Sequence, residues 1–352
     1  MGQHYALWME EKGFKDWRKC FWKPAGTADR QKYTWNLPEE FHYDAWITER
    51  TNALLEQYKK NDDNFFLWAS FLDPHPPYLV PEPWDKMYDP DQLTVSEGRE
   101  GEHARNPPHF QLTQQVKPDF TPWREPGGNG MHGFGSHLKS REEKLKNLAI
   151  YYGMISLMDK YIGKILDKLE ELGLTAETLI VFTTDHGHFY GQHNLTAKGA
   201  FHYEDMIKVP FIVSMPGTVL EGRRSSTLQS LVDLAPSFLS WAGIEIPRTM
   251  SGLDQKEVWL GTREKVRDHI IVENRHQPTT IHLKTYVDDR YKITVYFKHD
   301  YGGFFDLQED PGEFNNLWDD PATADLKRAL LLKLIHAEMG KEPIWMPRVW
   351  GA

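Results

Sequence analysis

The sequence predicts an α/β protein with a mostly parallel central sheet, followed by a small C-terminal α+β subdomain built on an antiparallel sheet. Three observations carry this. Short β-branched runs, "TLIVF" at 178–182 and "VPFIVS" at 209–214, alternate with amphipathic stretches long enough to be helices. Each run leads into polar residues, as buried parallel strands do where their carboxyl ends meet a site. From about Arg267 the texture changes to closely spaced strand patterns, "HIIVE", "IHLKTYV" and "YKITVYF".

The elements follow in order. In 43–60, Trp46, Ala53, Leu54 and Tyr58 recur at near-helical spacing until "NDDN" breaks the pattern, and "FFLWASF" at 65–71 then reads as a buried strand. Residues 74–139 are rich in Pro, Gly and His and nearly aperiodic, which marks a functional lid or an insertion. Between Arg141 and Leu172, Leu145, Leu148, Ile155, Met158, Ile162, Ile165 and Leu169 step by threes and fours, with Gly173 placed to end a long helix. "TLIVFTTDHG" and "VPFIVSMPG" are the next strands, "LVDLAPSFLSWAG" is a helix, and a terminal helix is expected over about Ala324 to Met339. The expected division is one large α/β domain over 1–265 and the antiparallel subdomain over 266–352.

Composition narrows the function. A net charge of −10 and a pI near 5.9, with no basic stripe, argue against nucleic acid as a partner. No run of about 18 apolar residues is present, so no membrane span is expected. The N-terminal "MGQHYALWMEEKGFKDW" lacks the features of a secretory signal and opens as if in mid-domain, which leaves the compartment open. A lone cysteine, Cys20, excludes an intrachain disulfide and a cysteine zinc cluster. The 13 tryptophans suit sugar stacking as well as plain packing.

The densest polar groups stand at two predicted strand ends, where α/β sheets hold their ligands. His75 follows "FFLWASFLD" and is flanked by Pro74, Pro76 and Pro77, which restrict the backbone presenting it. Asp185 and His186 are adjacent in "IVFTTDHG", and Gly187 permits a turn that lets carboxylate and imidazole reach one cation. Twelve residues on, Lys198 supplies a cationic head suited to an oxyanion. An Asp-His pair alone is often structural and a lone lysine is usually a solvated charge. Together they predict a site for a tetrahedral anion.

Three segments, "DPHPPY" at 73–78, "TTDHGHFYGQHNLTAKGAFHYEDMIKVPFIVSMPG" at 183–217 and "GGFFDLQEDPGEFNNL" at 302–317, resemble type I sulfatases of the alkaline-phosphatase superfamily in order and separation. The resemblance spans nearly the whole chain. It implies an alkaline-phosphatase-like sandwich and a calcium-dependent sulfuric ester hydrolase acting on a sulfated small molecule or carbohydrate. It also implies that Asp185 and His186 are metal ligands and that Lys198 contacts sulfate. His75 resembles the sulfate-binding histidine, with a part in protonating the leaving oxygen. His193, in "GQHN", is expected to line the substrate side.

The departures carry expectations of their own. The family's paired-Asp metal segment and its C-x-P-x-R or S-x-P-x-R motif, whose first residue becomes formylglycine, do not occur here, and Cys20 is followed by "FWKPAG". The chain is therefore expected to be an N-terminally truncated sulfatase with half a metal site, inactive alone, and prone to associate through the surface that truncation exposes. Two other readings stay open: a phosphate or phosphonate ester hydrolase on the same scaffold, and a non-catalytic fragment that binds anions or sugars. "GNGMHG" at 128–133 follows a Pro-rich loop rather than a strand, so the dinucleotide reading is set aside. His103, His109, His132 and His137 lie in the long loop as lesser substrate candidates, whereas His188 and His202 are expected to be packing or hydrogen-bonding partners.

Overall fold

The computed structural model describes residues 3–16, 32–124, 133–275 and 280–341. Cys20 and His132 lie outside them. In chain order the elements begin with helix α1 (Gln3–Glu11), strand β1 (Lys32–Thr34), helix α2 (Tyr43–Asn61), strand β2 (Tyr78–Val80), helix α3 (Pro108–Leu112) and helix α4 (Arg141–Glu171). Then come β3 (Ile180–Thr183), the hairpin strands β4 (Phe189–Tyr190) and β5 (Thr196–Ala197), α5 (Glu204–Ile207), β6 (Phe211–Ser214), α6 (Leu234–Trp241) and α7 (Lys256–Trp259). Strands β7 (Ile270–Arg275), β8 (His282–Val287), β9 (Tyr291–Tyr296) and β10 (Gly302–Asp306) precede helix α8 (Ala324–Gly340).

The chain forms two compact units, one of residues 1–95 and 139–178, the other of residues 96–138 and 179–352. In the first, β1 and β2 pair in parallel, and α2 lies against the long α4, where the Thr48 hydroxyl donates to the Tyr161 carbonyl at 3.2 Å. Helix α4 starts on a reciprocal cap between Ser140 and Glu143 and ends at Gly173, whose φ of +65° is the left-handed stop expected of it. Helix α2 ends on Asp62, also left-handed, within the "NDDN" that the sequence marks as a breaker. Its buried face differs from the expected one: Tyr43, Asp44, Ile47, Thr48, Thr51 and Leu55 turn inward, while Leu54 is exposed. Polar residues fill half of that stripe, and apolar periodicity alone cannot find them.

In the second unit, β7 to β10 form a four-stranded antiparallel sheet in the order β10-β9-β8-β7, as the closely spaced patterns predict. Helix α8 covers one face, packing Leu330, Leu334 and Ala337 onto Tyr286, Ile293 and Phe304. A second core gathers Phe189, Leu195, Phe201, Tyr203 and Met206 against Phe110, Leu283 and Phe305.

Two strand expectations change. Strand β3 pairs with β6 antiparallel rather than parallel. A parallel return usually runs through a crossover helix, whereas 184–210 holds the β4–β5 hairpin with a 3-10 turn at its tip and the four-residue α5. The stretch 65–71, read from its apolar run as a buried strand, enters no ladder among the described residues. Phe66 is 67% and Trp68 76% exposed, the alternation of an extended segment with one open face.

Candidate active site

The second unit brings Asp185, His186 and Lys198 together. Asp185 leaves the end of β3 with its side chain 80% exposed, and its Oδ1 accepts the His186 backbone N–H at 2.9 Å. His186 Nδ1 donates to the Gly187 carbonyl at 2.8 Å, which leaves the Nε2 lone pair facing outward. That nitrogen stands 3.5 Å from Asp185 Oδ2 and 3.3 Å from Lys198 Nζ.

Gly187 holds this turn for a reason the sequence does not show. Its N–H donates to the Met206 carbonyl at 2.8 Å, and a Cβ at this position would collide with the Asp205 carbonyl oxygen. Close approach, rather than an unusual φ, is what requires glycine here.

Lys198 is delivered by the β4–β5 hairpin, in which Phe189 faces Ala197 and Tyr190 faces Thr196. Phe189 and Leu195 are fully buried and anchor it. Along the hairpin the backbone is wound left-handed at Gly191 and at three residues with side chains, His193, Asn194 and Ala197, with φ of 54°, 53° and 59°. Each such residue costs about 1–2 kcal/mol, so packing around the hairpin sustains the loop.

His193 is buried within this loop. Its ring stacks on Tyr203 at 3.7 Å between centroids, with Nδ1 3.3 Å from Glu102 Oε1 and Nε2 3.7 Å from Asp205 Oδ2. Glu102, which burial alone would raise, is held below the usual carboxylate range by His193 and by the Arg99 N–H. His103 donates through Nε2 to the His193 carbonyl at 2.8 Å, and Asn106 links His103 to the Tyr203 hydroxyl. Glu102 and Asp205 were not singled out from the sequence, although Asp205 closes the histidine-rich stretch and Glu102 adjoins His103.

The remaining histidines have separate places. His109 donates to the Ala200 carbonyl at 3.3 Å, and His202 bonds Thr285 at 2.7 Å. His188 lies against the Tyr190 ring. His75 belongs to the first unit, where it is exposed on the turn before β2 with Nδ1 donating to the Pro76 carbonyl at 2.6 Å, leaving Nε2 open. A cavity of about 420 Å³ lined by Asp85, Lys86, Tyr88, Asp89, Lys146 and Ile150 also lies in the first unit and contains none of the predicted site residues.

The arrangement has definite chemical capacity. Asp185 Oδ2 and the His186 lone pair are spaced as two neighbouring ligands of one ion would be, each about 2.0–2.5 Å from it. The Lys198 ammonium, which contacts His186 Nε2, can turn to pair with an anion bound alongside.

Comparison with known proteins places these residues in context. The sequence pattern of the family described as Sulfatase matches residues 2–244, and that described as N-sulphoglucosamine sulphohydrolase, C-terminal, matches 191–339. The chain is 28% identical to a multifunctional alkaline phosphatase superfamily protein, PehA, of Trinickia caryophylli, over 95% of this chain and 68% of that one. It is also 28% identical to an arylsulfatase of Clostridium perfringens, over 80% of this chain and 55% of that one. The fold matches a phosphonate monoester hydrolase from Silicibacter pomeroyi with a TM-score of 0.78 at 24% identity, covering 98% of this chain and 70% of that one. A structure solved in complex with its substrate D-glucosamine-2-N,6-O-disulfate matches with a TM-score of 0.54 at 26% identity, over 58% of this chain and 44% of that one. The chain spans between 34% and 68% of the length of the first five curated relatives it resembles.

Proposed function

We propose, from the premise that the chain belongs to the sulfatase family, that it carries the anion-binding part of a hydrolase for sulfate esters on carbohydrates. The observation that carries the reading is the convergence of Asp185, His186 and Lys198 at one exposed turn. A carboxylate and an imidazole lone pair beside an ammonium suit a metal-bound tetrahedral anion. Matches in sequence and in structure support the sugar: an N-acetylglucosamine-6-O-sulfatase of Bacteroides thetaiotaomicron, 29% identical over 51% of this chain, and the structure bound to a disulfated glucosamine.

In this reading Asp185 and His186 hold a calcium ion, which when bound polarises the ester oxygens. Lys198 pairs with a sulfate oxygen and offsets the charge that grows on it as the ester bond breaks. His75, whose Nε2 is open to solvent, contacts the sulfate and supplies a proton to the leaving oxygen. His193 orients the substrate side through Asp205, 3.7 Å from its Nε2. The nucleophile of the family, a formylglycine hydrate, has no precursor motif in these 352 residues, so the chain by itself binds the ester without turning it over.

The experiment is turnover of an aryl sulfate by the purified chain, alone and mixed with a separately expressed N-terminal portion of a related enzyme. Activity only in the mixture, lost with Lys198→Ala, supports the reading. Robust turnover by the chain alone, lost in His75→Ala or Lys198→Ala, overturns the inactive-alone part of it. The same assay with an aryl phosphonate addresses the second reading, a phosphate or phosphonate ester hydrolase on the same scaffold. A strong preference for phosphonate would replace sulfate as the substrate.

A further inference from the structure

Away from the Asp185 turn, the first unit buries three electron-pair donors against one another. His42, the residue that caps α2, donates through Nε2 to the Leu79 carbonyl at 3.3 Å. A carbonyl only accepts, so Nε2 carries the hydrogen and Nδ1 presents its lone pair. Nδ1 accepts the Asp44 backbone N–H at 3.3 Å and stands 3.7 Å from Asp44 Oδ2. Asp73, the residue before Pro74, accepts the Tyr43 hydroxyl on Oδ1. One ligand atom from each of His42, Asp44 and Asp73 lies within 4.8 Å of the others.

These groups are sealed from water: His42 and Asp44 are 0% exposed and Asp73 is 6% exposed. Neither oxygen of Asp44 nor Oδ2 of Asp73 accepts an N–H or O–H from any other described residue, and the two carboxyls face each other closely enough to share a proton when no cation lies between them. Among the described residues no Lys or Arg forms an ion pair with either carboxylate. Buried carboxylates without a cation are costly, and aiming a lone pair at one adds repulsion.

We propose that His42 Nδ1, Asp44 and Asp73 form a second cation site, for a divalent ion of the zinc or manganese class that displaces the long Asp44 N–H contact from Nδ1. One imidazole nitrogen with two carboxylate oxygens is a donor set of that class, and its charge of −2 balances the ion. Calcium is the poorer fit, because it wants six or more oxygens and this pocket is closed to most of the water it would need. The outer contacts are those that orient metal ligands: an imidazole N–H held by a carbonyl, and a carboxylate held by a hydroxyl. Ligands about 2.1 Å from one ion at tetrahedral angles lie about 3.4 Å apart, so a pair at the 4.8 Å limit closes by about 1.4 Å on binding. The ion ties the start of α2 to the turn at 73–77 and so fixes the backbone that carries His75.

The test uses the full chain, stripped with a chelator and loaded with Zn²⁺, Mn²⁺ or Co²⁺ in separate experiments. Metal analysis is expected to find one tight equivalent in the wild type, retained in the double variant Asp185→Asn/His186→Gln and weakened at least about 100-fold in Asp44→Asn. Should Asp44→Asn fail to fold, the Co²⁺-loaded double variant decides: it is expected to show visible ligand-field bands and one paramagnetically shifted imidazole N–H resonance. Absence of those bands, retention of the equivalent in Asp44→Asn, or loss of all bound metal in the double variant overturns the proposal. So does finding Asp44 and Asp73 joined by a shared proton in the presence of saturating Zn²⁺.

Discussion

Lys198 Nζ stands 3.3 Å from His186 Nε2, the nitrogen that also faces Asp185 at 3.5 Å. The ammonium is thus parked on a lone pair that a cation would claim, and an anion is its alternative partner. Lys198→Ala is expected to weaken binding of sulfate or an unreactive sulfate ester by about 10- to 100-fold, as loss of one hydrogen bond to a charged group does. Isothermal titration of wild type and variant checks this, and equal affinities would remove Lys198 from the anion site.

Calcium is expected to bind the isolated chain weakly at the Asp185 turn, since two ligands leave most of the shell of six or more to water. Titration in metal-stripped buffer reads this directly. Micromolar affinity abolished by Asp185→Ala would show that further residues of this chain complete the shell.

Gly187→Ala is predicted to cost about 1–3 kcal/mol of stability, because the new methyl meets the Asp205 carbonyl, a backbone atom that cannot step aside. Anion binding should fall with it, since the shift moves His186. A variant with unchanged melting temperature and affinity would mean that the turn tolerates a side chain.

Acid should destabilise the second unit through its histidines. Burial holds His109 and His202 each down at about 3. Unfolding returns them toward about 6.5, so below that pH the unfolded chain binds more protons than the folded one. Stability is whole above about pH 6.5 and falls toward pH 3 by about 1.4 kcal/mol per pH unit for each histidine. Urea unfolding from pH 8 to pH 4.5 is expected to show this slope, reduced by one proton in His109→Phe.

Lys292 and Glu313 are both buried and paired, and Glu313 also accepts the N–H of Glu204 at 2.6 Å, at the start of α5. Lys292→Met strands the carboxylate and is expected to cost about 3–5 kcal/mol. The double change Lys292→Met/Glu313→Leu should recover much of that, and a double-mutant cycle by chemical denaturation measures the coupling.

Where the sequence was legible, local chemistry dictated the outcome. The C-terminal sheet could be read because its strands and turns lie close together, and α4 because its cap, period and Gly173 agree. Asp185, His186 and Lys198 could be grouped because they lie within a stretch that one hairpin folds back on itself. The pairing of β3 with β6 was missed because an apolar run does not encode its partner's direction. Asp44 was invisible for a different reason. An acid in the first turn of a helix reads as a solvated complement to the helix dipole, and the group it faces, Asp73, is distant in sequence.

The left-handed winding at His193, Asn194 and Ala197 bears on what can be cut from this protein. A peptide copied from residues 183–206 would contain every charged group of the Asp185 turn, yet nothing in it would compel those backbone angles. Released from Phe110, Phe305 and the rest of the surrounding core, it would relax into ordinary extended conformers and let Lys198 drift from His186. The motif is therefore portable as text but not as a device, and grafting it onto another scaffold means carrying the hydrophobic collar along with the letters.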